Sequence, residues 1–278
     1  MLLGFLAGGQ LGDLRSTLEW ASRNGFDAVS ITTRPGSRFF NVDEVLENPG
    51  WVRALVEETG VTISAIGFYG NMIDPELGRR KANQEFFRRL MEAAYRLELP
   101  VVTGWIGMMP GVGIDENLSV YAAEWPSLVK YAEDRGLKIA IENCPGNIAY
   151  RPDVWRRMFE LIPSEALGLE FDPSHLICQL IDPVWAADEF GDRIYHTHMK
   201  DAEIRWDRLR RYGVTAPGWH PHRLPGFGDL DWPAFITVLR KHGYDYALSI
   251  EHEDPYFGFK EGLLLAKNFL SRFLPRGK

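Results

Sequence analysis

One rhythm runs the length of the chain: eight short runs of aliphatic and β-branched residues, each followed by a stretch whose apolar residues recur at helical spacing. The first run is Leu2–Ala7, and its helix spans Leu11–Asn24, where Leu14, Leu18 and Ala21 keep the period and Asn24-Gly25 stops it. Ala28–Thr32 precedes a helical region at Asp43–Thr59, interrupted around Asn48-Pro49-Gly50; Val61–Phe68 precedes a helix at Pro75–Leu97; and Val101–Ile106 precedes one at Leu118–Arg135. The second half repeats the pattern with Lys138–Glu142 and Pro152–Leu161, then Leu167–Asp172 and Pro183–Phe190. Arg193–Asp201 with Asp231–His242, and Tyr246–Glu251 with Lys260–Leu274, complete it. Only Glu203–Asp229 breaks the rhythm. Strands separated by helices pair in parallel through right-handed crossovers, and eight is the number that closes into a barrel. A barrel of this kind needs about 250 residues, and the chain has 278. The expected fold is therefore α/β, one closed (β/α)8 barrel domain over residues 1–278. An open doubly wound sheet would want a dinucleotide-binding glycine loop after its first strand, and Gly8-Gly9-Gln10-Leu11-Gly12 does not supply one.

Composition narrows the function classes. No apolar run approaches the 18 or so residues of a membrane span, and the N-terminus lacks the basic flank and long apolar core of a signal peptide, so a cytoplasmic protein is expected. The formal charge of −7 opposes the basic footprint of a general nucleic-acid binder. Cys144 and Cys178 fit neither a disulfide framework nor a zinc knuckle and are expected to pack.

In a (β/α)8 barrel the chemistry collects where strands emit their C-terminal loops. Four polar residues fall there: Glu142 at the end of strand five, Asp172 at the end of strand six, His198 late in strand seven and Glu251 at the end of strand eight. Alternation along a strand turns these residues inward together with Ala140, Glu170, His196 and Ser249, and turns Ile141, Phe171 and Ile250 toward the helices. Three converging carboxylates repel one another unless a cation joins them. Oxygen-rich ligands with one imidazole suit a divalent metal, Mn2+ first, with Mg2+, Co2+ and Zn2+ open. The competing reading is a set of salt-bridged structural carboxylates. His196, one layer lower beside Glu170, is expected to support rather than to ligate.

At these residues the chain resembles the xylose isomerase-like TIM-barrel superfamily, in the branch of sugar phosphate isomerases and epimerases that includes ketose 3-epimerases and inosose dehydratase. The resemblance covers essentially the whole chain and is most specific over Ile141–Glu253. It implies a metal quartet of Glu142, Asp172, His198 and Glu251, with Glu142 and Glu251 doubling as the catalytic acid/base pair. It implies substrate contacts from His175 and Arg223, to which Lys200 and Trp105 at the rim are added. The activity implied is isomerisation or epimerisation of a small-molecule sugar or sugar phosphate through a metal-stabilised enediolate; the acidic balance and the absence of a long apolar run point to neither nucleic acid nor membrane as a partner, and aromatic loops around the rim point to a homo-oligomer, dimer or tetramer.

Alternatives remain at the level of sequence. Lys200-Asp201 after the metal histidine resembles the inosose dehydratase pattern, which keeps a lyase as the second reading. A trinuclear-zinc DNA-repair endonuclease of the same superfamily needs histidines at the ends of strands three and four, where this chain has Ile66-Gly67-Phe68 and Gly104-Trp105-Ile106. A non-catalytic sugar-binding barrel is the remaining class. His220 and His222 are candidates for a second metal or for substrate-facing residues. The arginines from Arg205 to Arg211 read equally as a phosphate clamp or as the solvated face of a helix, and Phe68, Trp105 and Trp206 as a wall for a sugar ring or as packing.

Overall fold

Alternation along each strand decides what the barrel encloses. The computed structural model describes residues 1–274. Seven strands come first: β1 (Leu2–Ala7), β2 (Ala28–Thr32), β3 (Thr62–Phe68), β4 (Val101–Gly104), β5 (Lys138–Glu142), β6 (Leu167–Phe171) and β7 (Ile194–Met199). A two-residue pair, β8 (Asp201–Ala202) and β9 (His222–Arg223), precedes β10 (Ala247–Ile250). The eight longer strands close into a barrel in the order β1-β10-β7-β6-β5-β4-β3-β2. All eight neighbouring pairs run parallel. The (β/α)8 TIM barrel expected from the rhythm is the fold observed.

Outward-facing strand residues pack against the helices. Phe5 meets Phe26 and Trp20 with ring centroids 4.9 and 5.7 Å apart, and Phe171 stacks on Phe235 at 5.6 Å. Burying each such ring contributes about 1.5–3 kcal/mol. Inside the barrel, Ala65, Val101 and Ala140 form a separate apolar cluster. The inward positions also carry polar residues, with Ser30 Oγ 2.6 Å from Ser249 Oγ and Ser64 Oγ 3.2 Å from His196 Nε2. Polar groups in this interior therefore bond to one another rather than to water.

Several boundaries differ from expectation for local reasons. The helical stretch Leu118–Arg135 is two helices, Ile114–Glu124 and Pro126–Glu133, because Pro126 has no N–H to continue the first and is suited to start the second. The break at Asn48-Pro49 likewise separates Val42–Glu47 from Gly50–Thr59, and Gly60 ends the latter in the left-handed conformation (φ 68°). β4 stops at Gly104 rather than Ile106, and β6 and β10 stop one residue before Asp172 and Glu251. Two short helices were not placed by the rhythm: Pro173–Ile177, whose N-cap is Asp172, and Trp206–Tyr212 within the irregular segment. Among the described residues no helix is long and apolar enough to cross a membrane.

Candidate active site

Four barrel walls deliver the candidate ligands to one place. Glu142 closes β5, Asp172 and Glu251 directly follow β6 and β10, and His198 lies in β7 opposite Ser249. One ligand atom from each of Glu142, Asp172, His198 and Glu251 lies within 4.8 Å of the other three. His198 Nδ1 is 3.1 Å from Glu142 Oε1 and 3.2 Å from Glu251 Oε2. Asp172 is held by its own helix, since its Oδ1 accepts from Ser174 N at 2.8 Å and from Ser174 Oγ at 2.7 Å. That leaves Oδ2 aimed at the cluster, 3.0 Å from Lys200 Nζ but outside hydrogen-bonding alignment with it.

A second layer lies behind the imidazole. His198 Nε2 lies 3.1 Å from Glu170 Oε1, the same oxygen that His196 Nδ1 approaches to 2.9 Å. The Tyr69 hydroxyl donates to the other oxygen of Glu170 at 2.9 Å. A carboxylate on the far nitrogen of a histidine turns its near nitrogen toward a metal and raises its basicity. His196, expected to support rather than to ligate, comes together here with Glu170 and His198 in a second group whose ligand atoms lie within 4.8 Å of one another.

The charges are buried and mutually compensating. Lys200 is 1% exposed, yet its ammonium touches Glu251 Oε2 at 2.6 Å and Glu253 Oε2 at 2.9 Å. Burial opposes the charge on Lys200, but Asp172 and Glu251 outweigh it and hold the ammonium well above its ordinary range. Burial also opposes ionisation of Glu142, and the nearby His175 and a hydrogen bond from His198 outweigh it, so the carboxyl lies well below the usual range. Glu251 is depressed in the same way, burial being overcome by Lys200 and His198. His198 is raised because Glu170 and Glu251 overcome its desolvation. Cationic side chains thus occupy the places from which these carboxylates demand positive charge. Three oxygens and one imidazole nitrogen, converging from separate strands with Asp172 Oδ2 unsatisfied, fit a divalent ion.

A cavity of about 420 Å³ opens above this cluster, lined by residues that include Gln10, Thr32, Tyr69, Trp105, His175 and Lys200. Trp105 is more than a wall: its indole N–H donates to Glu142 Oε2 at 2.6 Å. His175, on the Asp172-capped helix, reaches Asp172 Oδ2 at 3.3 Å. Cys144 also lines this cavity, half-buried, with burial pushing its thiol up. Glu253 and Tyr69 were not singled out from sequence; each shares strand parity with a residue that was, Glu251 and Gly67, but lies past the end of its strand.

Other expected contacts lie elsewhere. Arg223 does not line the cavity: its Nε donates to Asp254 Oδ2 at 2.9 Å and its other end pairs with Glu203, because β9 turns it along the rim. Trp206 is half exposed on an outer helix and does not line this cavity, and Phe68 packs on Phe86 at 4.7 Å. The arginines of that outer helix form a solvated face, with Arg208 Nε donating to Pro217 O and Arg210 over the Trp206 ring. Among the described residues neither His220 nor His222 joins a group with metal-ligand geometry. His222 Nε2 is 3.8 Å from Glu253 Oε2 instead.

Asp201, read from sequence as part of a dehydratase-like pattern, is a buried structural hub. Its Oδ1 accepts from Ala202 N and Leu230 N at 2.9 and 3.1 Å. Its Oδ2 accepts from Gly226 N, Gly228 N and Trp232 Nε1 at 3.2, 3.2 and 2.8 Å. A Cβ on Gly228 would stand 2.4 Å from Asp201 Oδ1, so that position has room only for glycine.

The xylose isomerase-like TIM barrel family model matches residues 18–269. The chain belongs to this family. It is 29% identical to the uncharacterized protein YfiH of Bacillus subtilis, over 92% of this chain and 94% of that one. It is 25% identical to inosose dehydratase of Clostridium perfringens, over 54% of each chain. Among solved structures, a D-tagatose 3-epimerase-like protein superposes with a TM-score of 0.74 at 21% identity, covering 98% of this chain and 97% of that one. The IolI protein with a bound zinc atom superposes at 0.75 and 18%, covering 98% and 96%. At these identities the two structures share the fold. The sequence relatives of this family member thus include a protein named inosose dehydratase.

Proposed function

We propose that the protein is a divalent-metal-dependent isomerase or epimerase of a sugar or sugar phosphate, working by proton transfer through an enediolate. The convergence of ligand atoms from Glu142, Asp172, His198 and Glu251 within 4.8 Å carries this reading. These four side chains would hold the ion, Mn2+ by its preference for oxygen-rich sites, with Zn2+ the alternative that the IolI structure favours. When bound, the ion supplies positive charge that stabilises the oxyanion developing as a proton leaves the carbon alpha to a carbonyl.

The remaining steps fall to the chain. Glu142 on β5 and Glu251 beyond β10 stand on walls separated by β6 and β7, so they approach a ligand in the cavity from different sides. One carboxylate takes the alpha proton and the other returns it, which is the arrangement that inverts a carbon centre. Trp105 Nε1 fixes one oxygen of Glu142, leaving the other toward the cluster. Lys200 beside Glu251 keeps that group ionised, and with His175 it presents N–H donors to sugar oxygens.

One observation favours dehydration as the second reading. Burial works against a charged His175, but Asp172 more than offsets it and the imidazole is pushed up to about 10, so a proton donor faces the cavity. Such a donor would protonate a departing hydroxyl. A panel of keto-sugars, free and phosphorylated, incubated with the Mn2+-loaded protein in D2O tests both readings. Deuterium uptake is expected in Glu142- and Glu251-dependent fashion, and loss of 18 mass units identifies a lyase. Unchanged exchange in E142Q and E251Q, with metal still bound, removes the glutamates from the reaction.

A further inference from the structure

The reaction cavity is acidic, whereas the concavity beside it is not. That neighbour, about 600 Å³, is lined by Gly8, Thr32, Thr33, Arg34, Ser37 and Arg38 among others, and no carboxylate contributes to its wall. Thr32 lines both spaces, and Gly8 N donates to Gln10 Oε1 at 2.7 Å, which ties the edge of one cavity to the edge of the other. At this junction Gly8 presents no side chain; a Cβ there would stand 2.7 Å from Thr32 Cγ2.

The two arginines are exposed and, like Arg210 and Arg211, have no ion-pair or side-chain hydrogen-bond partner among the described residues; what sets them apart is the concavity they share. Arg80 pairs with Glu124, Arg135 with Glu92, Arg156 with Glu189 and Arg157 with Asp115, as a chain with an excess of acid allows. Among the described residues Arg34 and Arg38 make no ion pair and no side-chain hydrogen bond, although both line the concavity. Their loop is built rather than loose. Ser37 N donates to Arg34 O at 3.0 Å, and Thr33 Oγ1 donates to Phe40 O at 2.6 Å. That turn folds the chain back so that residues four apart face one space. Two guanidinium forks, five donors each, match the oxygens of a phosphate or carboxylate.

We infer that Arg34 and Arg38 form an anion subsite continuous with the reaction cavity, so that the substrate is a keto-sugar carrying a phosphate ester or carboxylate remote from its reacting carbonyl. This rests on the enediolate reading of the cavity. It also relocates anion recognition from the outer helix, where the sequence placed its densest arginines, to the loop after β2.

Equilibrium binding keeps the two readings apart. Calorimetric titration of the metal-loaded full chain uses a ketohexose, its 6-phosphate and the corresponding keto-uronate, with deuterium exchange followed on the same samples. The anionic sugars are expected to bind more tightly than the neutral one, and the stronger of the two names the substituent. R34A and R38A should each weaken binding of the favoured anion on the order of tenfold, leave the neutral sugar unaffected, and raise KM with kcat held. Arg→Lys at both positions should recover part of the loss. Equal affinity across the panel, no measurable affinity for either anion, or affinity indifferent to both substitutions overturns the subsite. Arginine-dependent binding without deuterium exchange in any sugar upholds the subsite and overturns the enediolate reading instead.

Discussion

Two buried groups of carboxylates stand on either side of one backbone step, Lys200 to Asp201, and they are satisfied in opposite ways. Asp201 is surrounded by four backbone N–H groups and one indole N–H, all neutral, all fixed by the turn they hold together. Glu142, Asp172 and Glu251 instead face one another, and what compensates them is mostly the charge of Lys200, His175 and His198. A carboxylate saturated by rigid dipoles has no capacity left for a ligand and serves the fold. Carboxylates that share a concavity and depend on titratable or flexible cations can exchange those partners for a metal ion at little structural cost. Asp201, Glu142 and Asp172 are buried and Glu251 largely so, and it is the identity of the donors that separates scaffold from site.

The largest expected effect tests the reactive side of this contrast. E142Q and E251Q should each lower the rate of solvent deuterium exchange by roughly 10²- to 10⁴-fold, the range for a positioned acid or base, while D201N keeps the rate of the folded enzyme within a few fold. The second reverses the roles. Asn at position 201 would turn an NH2 toward donors now served by Oδ1 or Oδ2, so D201N should lose about 3 kcal/mol, a fall in Tm of roughly 6–12 °C. Thermal unfolding of D201N beside E251Q decides it: equal losses would dissolve the distinction.

Metal addition sharpens the comparison further. Protein stripped by chelator should gain about 2.7 kcal/mol when Mn2+ is present at ~100 times its Kd. D201N should show the same increment on its lower baseline, whereas D172N and H198A should lose most of it. Because His198 lies above its ordinary value in the ion-free site, the ion must displace a proton. Affinity should therefore fall as pH falls, with proton release visible by calorimetry in buffers of different ionisation enthalpy.

The smallest effect belongs to a surface pair at the opposite end of the barrel. Hydrogen bonds from His242 to Asp188 and then Asp192 raise the histidine above 6.5. A raised folded value means that the stabilisation is full below the unfolded value and is lost as pH rises through the folded one. H242Q should cost under about 1 kcal/mol at pH 5.5 and nothing measurable at pH 9.

Strand parity made much of this legible in advance. Glu142, Asp172, His198 and Glu251 sit at or just past strand ends in the sequence, and inward-facing residues two positions earlier follow from the pleat alone. His196 falls one layer lower, beside Glu170, by the same count. What parity could not see lies beyond the strands, where no period constrains direction. Tyr69 and Glu253 escaped notice for that reason, and Arg223, placed by resemblance alone, turned out to be held along the rim by Asp254 and Glu203. Asp201 looked like chemistry because it follows Lys200 in sequence, but the loop that returns from residue 224 to 232 encloses it in N–H groups.

The sequence by itself determined the number and order of the strands, hence the barrel, and which charged side chains the strands themselves carry inward, because hydrophobic period and strand alternation are local properties. Which of those charges are spent on the fold and which are left for a ligand was decided only by tertiary structure. These carboxylates draw on partners 25 and 51 residues away, Asp201 on Gly226 and Glu251 on Lys200, and no local pattern specifies where the chain returns.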